Sequence, residues 1–260
     1  MLKDGLELLF GKLSVKQEHI ADNKALIAHK DAKVIDLEEF GAKPRRIETT
    51  QNMANVVGFC DYVKDFAQDN TKIFASIKNR SVLAVIDYHG KEDPSFCDHN
   101  VKISFDLDDD FIAWERIDGN FLSQSDLVAF LLDYADDFLT PSKADILEIV
   151  GNIKAVKKAD IDSQVGNYDI NKVVNSSTKI SSGKGDIPDV FTLKLPVLEG
   201  FDKYEVNFRL AIKMHHDDIG FSIRLIRPHK LIEGAFNHAC SDIVELSGKD
   251  IYGFTKEEGK

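Results

Sequence analysis

The sequence predicts an α+β fold: a mostly antiparallel sheet with packed helices, ending in a C-terminal β-hairpin followed by a helix. Three patterns carry that prediction. Between Lys203 and Leu225 two runs alternate. Tyr204, Val206, Phe208, Leu210 and Ile212 are apolar against polar Lys203, Glu205, Asn207, Arg209 and Lys213; Ile219, Phe221, Ile223 and Leu225 are then apolar against Ser222 and Arg224. Period two on both sides of a short polar stretch is the signature of a hairpin. A second hairpin is signalled by Ile73–Ile77 and Val82–Ile86, which flank Lys78-Asn79-Arg80-Ser81. Pro228 then stands where a helix can begin without losing a hydrogen bond, and Leu231, Ile232, Ala235, Phe236, Ala239, Ile243 and Leu246 follow on one face. Strand neighbours joined by short turns must pair antiparallel.

The remaining elements follow in order. Residues 1–30 read as a helical segment on the stripe Leu6, Leu9, Phe10 and Leu13, followed less regularly by Ile20, Ala25 and Leu26. This segment is expected to act as an oligomer arm, with a single α+β domain over 31–260 and a secondary boundary near 155. Lys33–Leu37 is a short extended piece, and Pro44 marks a connector. Thr50 is the expected N-cap of a helix carrying Met53, Val56, Val57, Phe59, Cys60, Val63 and Phe66. Val82–Ile86 alternates little and is expected to be buried on both faces. Val101, Ile103, Phe105 and Leu107 alternate as a half-buried strand. Asp108-Asp109-Asp110 opens a helix, where carboxylates complement the positive end of the dipole. Asp118-Gly119-Asn120 is a turn, and Ser123 with Asp126 forms a short capping box before Leu127, Phe130, Leu131, Tyr134 and Phe138. A helix starts at Lys143 after Thr140-Pro141-Ser142. Two strands with a loop around Ser181–Gly185 are expected within the polar stretch 157–187, and a further strand runs from Val190 to Pro196.

Lys plus Arg number 33 and Asp plus Glu 44, for a formal charge of -11. Such a balance disfavours nucleic acid and anionic membranes, and leaves a phosphate to be held only by a local basic patch. The three cysteines, Cys60, Cys97 and Cys240, are widely spaced and contain no CxxC, which argues for a reducing, cytoplasmic setting and against disulfides or structural zinc. Cys60, Cys240 and Trp114 read as packing residues. No apolar run approaches the length of a signal core or a membrane span.

Several groups resemble sites and are better explained otherwise. His215-His216-Asp217-Asp218 falls at a hairpin tip and reads as a solvated turn. Asp106–Asp110 begins like a calcium loop but has Phe111 where the turn glycine belongs and Ile117 where the bidentate glutamate belongs. Gly183-Lys184-Gly185 lacks the upstream glycine and following hydroxyl of a phosphate loop. GxSxG, HExxH and GxGxxG are absent from the sequence, so no catalytic residues are predicted and no cofactor is implied.

Two constellations remain. Asp87, His89, Asp98 and His99 flank one loop and could hold a metal or form a polar network fixing that loop. Arg224, Arg227, His229 and Lys230 span a strand end and a helix start, where guanidinium and ammonium groups join free backbone N–H groups to make an anion or phosphate site.

The order Asp87-Tyr88-His89-Gly90, Asp98-His99, Trp114, Ser123-Gln124, Ala144–Ile149 and Leu225-Ile226-Arg227-Pro228-His229-Lys230 resembles the YfdQ-like family of phage and prophage proteins over about residues 30–255. The resemblance implies a bacteriophage origin and a role inside the infected cell, and it supplies no catalytic residues. The leading expectation is a non-enzymatic, homo-oligomeric accessory protein of the host cytoplasm that counters host defence by sequestering a nucleotide-type signalling molecule. The alternatives are an interaction module in phage DNA replication or recombination, with a protein or single-stranded DNA partner, and a metal-assisted hydrolase using His89, Asp98 and His99.

Overall fold

The computed structural model describes residues 42–44, 46–146, 190–215 and 218–253, together with strand segments at 16–20, 23–27, 181–182 and 185–186. The chain divides into two compact units, Met1–Ile47 and Glu48–Lys260. The boundaries expected at 30/31 and near 155 both lie outside the described residues.

In the first unit β1 (Lys16–Ile20) pairs antiparallel with β2 (Asn23–Ile27). Residues 16–20 and 23–27 are therefore paired strands where the sequence predicts a helix. The apolar stripe that suggested a helix ends at Leu13 and lies outside the described residues; beyond it Ile20, Ala25 and Leu26 keep no helical spacing, and Asp22-Asn23 is a turn-favouring pair. Lys33–Leu37 also lies outside the described residues.

The second unit runs β3 (Thr49–Met53), α1 (Val56–Phe66), β4 (Lys72–Ser76), β5 (Ser81–Val85), β6 (His99–Ser104), α2 (Asp109–Ile117), α3 (Gln124–Asp133), β7 (Phe138–Thr140), β8 (Ser181–Ser182), β9 (Gly185–Asp186), β10 (Phe191–Pro196), β11 (Lys203–His215), β12 (Asp218–Leu225), α4 (Pro228–Ser247) and β13 (Ile251–Tyr252). One sheet has the order β13-β4-β5-β6-β3, antiparallel at its centre and parallel at both outer pairs. The other, β12-β11-β10-β7, is antiparallel throughout. The fold is thus α+β, with five of the seven strand pairings in these two sheets antiparallel and the C-terminal hairpin leading into α4. The strands β8 and β9 pair with each other, and residues 157–180 and 183–184 lie outside the described residues.

Local chemistry explains the joints. Asp108 and Ser123 cap α2 and α3 through side-chain oxygens that accept from the Asp110 and Asp126 amides. Gly119 supplies φ +74 in the turn between them. Ser142 accepts from the Asp145 amide at the helical residues that begin with Lys143. Thr50 is not a cap: it lies inside β3, pairing with Asn100, and Asn55 caps α1 with Oδ1 2.8 Å from the Gly58 amide. Phe138 likewise leaves the helix it was assigned to; α3 ends at Asp133, a 3-10 turn follows over Ala135–Asp137, and Phe138 starts β7.

A continuous core lies between the sheets and helices, with Phe59, Ile73, Trp114, Phe208 and Phe236 all fully buried. β5 is covered on both faces, as its lack of alternation requires: Val82, Ala84 and Ile86 are 0% exposed and Val85 is 6% exposed. On β11 and β12 the face bearing Val206, Phe208, Ile223 and Leu225 is buried, with Phe208 stacked on Phe191 at 5.0 Å and tilted against Trp114 at 4.9 Å. Each such aromatic contact adds about 0.5–1.5 kcal/mol beyond its buried area. The opposite face carries Asn207, Arg209, Ser222 and Arg224.

Candidate functional site

The loop between β5 and β6 separates the first constellation into two parts. The carboxylate of Asp87 is spent on backbone: Oδ1 accepts from the His99 amide at 3.0 Å and Oδ2 from the Asp98 amide at 3.2 Å. His99 is 3% exposed, its Nε2 is 2.8 Å from the Tyr62 hydroxyl, and its ring meets Phe66 edge-on at 5.3 Å. His89 faces elsewhere, its Nδ1 accepting from the Ser95 amide at 3.0 Å. Asp87 and His99 therefore fix the start of β6 as a structural network, and the two histidines do not meet. Among the described residues no group of three or more His, Cys, Asp or Glu side chains could hold a metal ion. The calcium-like run Asp108–Asp110 is the start of α2, as its dipole-complementing charges predict.

The second constellation stands at one end of the four-stranded sheet. Arg224 is exposed on β12, and its guanidinium lies over the turn at Gly119, where an added Cβ would meet Cζ at 3.4 Å. Directly across the hairpin is Arg209, also exposed. Two guanidinium groups in register repel and cost the sheet about 0.2–1 kcal/mol. Among the described residues no carboxylate forms an ion pair with Arg209, Arg224 or Arg227. The nearby Asp118 carboxylate instead accepts from the Leu225 amide at 3.0 Å.

Pairing continues past β12, with the Ile226 amide donating to the Asn207 carbonyl at 2.9 Å, and α4 begins at once. Arg227 is its exposed N-cap, held at φ 53 in the left-handed region that a residue with a Cβ seldom adopts. Its side chain makes no capping bond, Pro228 fills the first helical position, and no acidic residue stands in the first turn. His229 and Lys230 are exposed there, Lys230 in an ion pair with Glu233. The positive end of the α4 dipole thus sits beside the arginine pair, while Lys230 is partly neutralised.

The chain matches, over residues 11–253, a family model described as an uncharacterized conserved protein (DUF2303). It belongs to that family. No curated protein and no solved structure matches it.

In this DUF2303 chain the sequence predicts Arg224, Arg227, His229 and Lys230 but not Arg209, which completes the pair. The signal is present: partners across a hairpin sit at equal distances outward along the two strands, so Arg209 is found by counting outward from His215 as Arg224 is from Asp218. Ser222 is a further residue that the sequence pattern does not single out. It stands on the same sheet face as Arg224, 0% exposed, with no hydrogen-bond partner for its hydroxyl among the described residues. The residues 216–217 themselves lie outside the described residues, and no helix of the described residues is long and apolar enough to cross a membrane.

Proposed function

We infer that this chain is a non-enzymatic binding protein that holds a phosphate-bearing small molecule at the end of its four-stranded sheet. Arg209 and Arg224 grip the anion from the strands, and Arg227 with the first turn of α4 contributes charge and the helix dipole. One observation carries the reading: two arginines are held in register, exposed, on a protein whose net charge is -11. A like-charged pair that weakens its own sheet is the arrangement expected where an anion is to be bound between them. The resemblance to phage and prophage proteins points to a nucleotide-type signalling molecule as the ligand, withdrawn from the host cytoplasm by a homo-oligomer that counters host defence.

Equilibrium binding of cyclic and linear nucleotides, with inorganic pyrophosphate as the minimal anion, tests this. Binding is expected to weaken at least about tenfold in Arg209→Ala and in Arg224→Ala, the loss of one charge-assisted bond each. Arg227→Gly keeps the left-handed backbone while removing the charge, and should weaken binding without harming the fold. Absence of binding by every one of these anions, or affinities unchanged in all three variants, overturns the reading.

A further inference from the structure

The five-stranded sheet has two unlike faces. One carries Ile73, Ala84, Val101 and Ile103, which are at most 2% exposed and belong to the core. On the other, the register places Asn52, Lys102, Leu83, Phe74 and Tyr252 in one row across all five strands. Adjacent strands lie about 4.8 Å apart, so the row is about 19 Å long. The next row holds Lys72 and Asn100, in register through Val85. Tyr252 is 51% exposed, Asn52 is exposed, and Phe74, Leu83, Lys72 and Lys102 are partly exposed.

Aromatic rings gather at one end of this face. The Tyr252 and Phe74 centroids are 5.8 Å apart with the rings tilted by 35°, and Tyr88 extends the group 5.4 Å from Phe74. Gly253, at φ 88, lets the chain lie directly against β4 after Tyr252; a Cβ there would meet the Ala75 carbonyl oxygen at 2.7 Å. Lys72 Nζ is 5.7 Å from the Tyr252 ring centre, which sets an ammonium beside the ring. Among the described residues neither Lys72 nor Lys102 forms an ion pair. No strand position on this face holds Asp or Glu, in a chain that has 44 of them.

Exposed rings flanked by ammonium groups, with no carboxylate to repel an anion, complement planar bases joined by phosphodiesters. A duplex keeps its base faces stacked inside, so only a single strand can use the rings. Leu83, between Phe74 and Lys102, offers no partner to a 2′-hydroxyl, which favours deoxyribose. We propose that this sheet face binds single-stranded DNA, with bases stacked on Tyr252 and Phe74 and the phosphodiester backbone held by Lys72 and Lys102. It is a second site, independent of the phosphate-binding reading, since Arg209 and Arg224 belong to the four-stranded sheet. The net charge of -11 opposes the approach of any polyanion, so the attraction is local and fades as salt rises.

The test is fluorescence anisotropy of the full chain with a dye-labelled thymidine oligomer of about 12 nucleotides at low salt. Saturable binding is expected. Three probes of the same length should bind more weakly: an abasic deoxyribose-phosphate strand, which has the charge without the bases, a duplex, and a uridine oligomer. Tyr252→Ala should weaken binding about tenfold and Tyr252→Phe should retain it, because the ring carries the stacking. Replacing Lys72 and Lys102 together by glutamine should flatten the slope of log affinity against log salt by about 1.4, the value for two phosphates of a single strand. Inorganic pyrophosphate at matched ionic strength should not displace the oligomer. Circular dichroism shows whether each variant is folded. Absence of binding at low salt, equal affinity for the abasic strand, parental affinity in folded Tyr252→Ala, displacement by pyrophosphate, or tighter binding of the uridine oligomer overturns the proposal.

Discussion

Arg209 and Arg224 face each other across the β11–β12 hairpin, two register pairs from Ser222 and three residues from the cap of α4. Their mutual repulsion makes stability and binding move in opposite directions. Arg224→Glu converts a like-charged cross-strand pair into an opposite one and should raise the free energy of unfolding by about 0.5 kcal/mol. The same change should abolish binding of nucleotides and pyrophosphate. Urea unfolding and equilibrium binding on one preparation check both signs; a loss of stability would show that Arg224 has a favourable partner in place of a repulsive one.

A second relationship lies on the same strand. A Cβ at Gly220 would sit 1.9 Å from the ring of Phe121, whose 45% exposure shows that the ring covers the strand from outside. Gly220→Ala must push that ring away and should cost about 1–3 kcal/mol. In a Phe121→Ala background the obstruction is gone, so the cost of Gly220→Ala should fall below about 0.5 kcal/mol. A double-mutant cycle by urea unfolding reads this coupling directly; additive effects would place the cost in the backbone.

How much of this was legible depends on what each feature is made of. The strands of residues 191–225 announced themselves because one face is covered by the core and the other is not, so Phe208 and Ile223 alternate with Arg209 and Ser222. β3 gave no such sign. Its central residues Thr50, Gln51 and Asn52 are exposed, and a parallel partner, β6, holds it by backbone bonds that no side-chain pattern records. The helix starts Asp108 and Ser123 were readable because capping is local, whereas Thr50 was misread as a cap because Asn55, the true one, is equally apt and nearer the helix. The separation of His89 from His99 depends on the left-handed turn at Cys97, a backbone angle that a non-glycine residue does not advertise. Nearness in sequence made those histidines look like one site, and the path of a single loop divides them.

The buried pair Tyr62 and His99 gives a third prediction. Tyr62→Phe leaves a ring nitrogen of a 3% exposed histidine without its 2.8 Å partner and should cost about 1–2 kcal/mol. His99→Phe strands the tyrosine hydroxyl at a similar cost. Together the two changes remove donor and acceptor at once and keep both rings against Phe66, so the double variant should lose less than the sum of the single losses. Chemical denaturation of the four proteins decides it, and strict additivity would mean that the hydroxyl–imidazole contact contributes nothing.

The last prediction concerns pH and rests on Glu115, on α2. Burial raises its carboxyl above the ordinary 4.5, the Arg80 guanidinium opposes that rise, and Asp118 adds to it. A carboxyl raised by folding binds its proton more tightly in the folded chain than in the unfolded one. Its contribution is therefore fully present below 4.5 and is lost as the pH climbs through the folded value, leaving the ionised group a net cost at neutrality. Glu115→Gln keeps the shape and cannot ionise, so it should be more stable than the parent at pH 7, with that advantage shrinking as the pH is lowered toward 4.5 and gone below it. Thermal melts of both proteins across that range supply the measurement. If Glu115→Gln is instead the less stable protein at pH 7, attraction to Arg80 outweighs the burial of the charge, and Glu115 and Arg80 are a stabilising pair bridging α2 and the turn after β4.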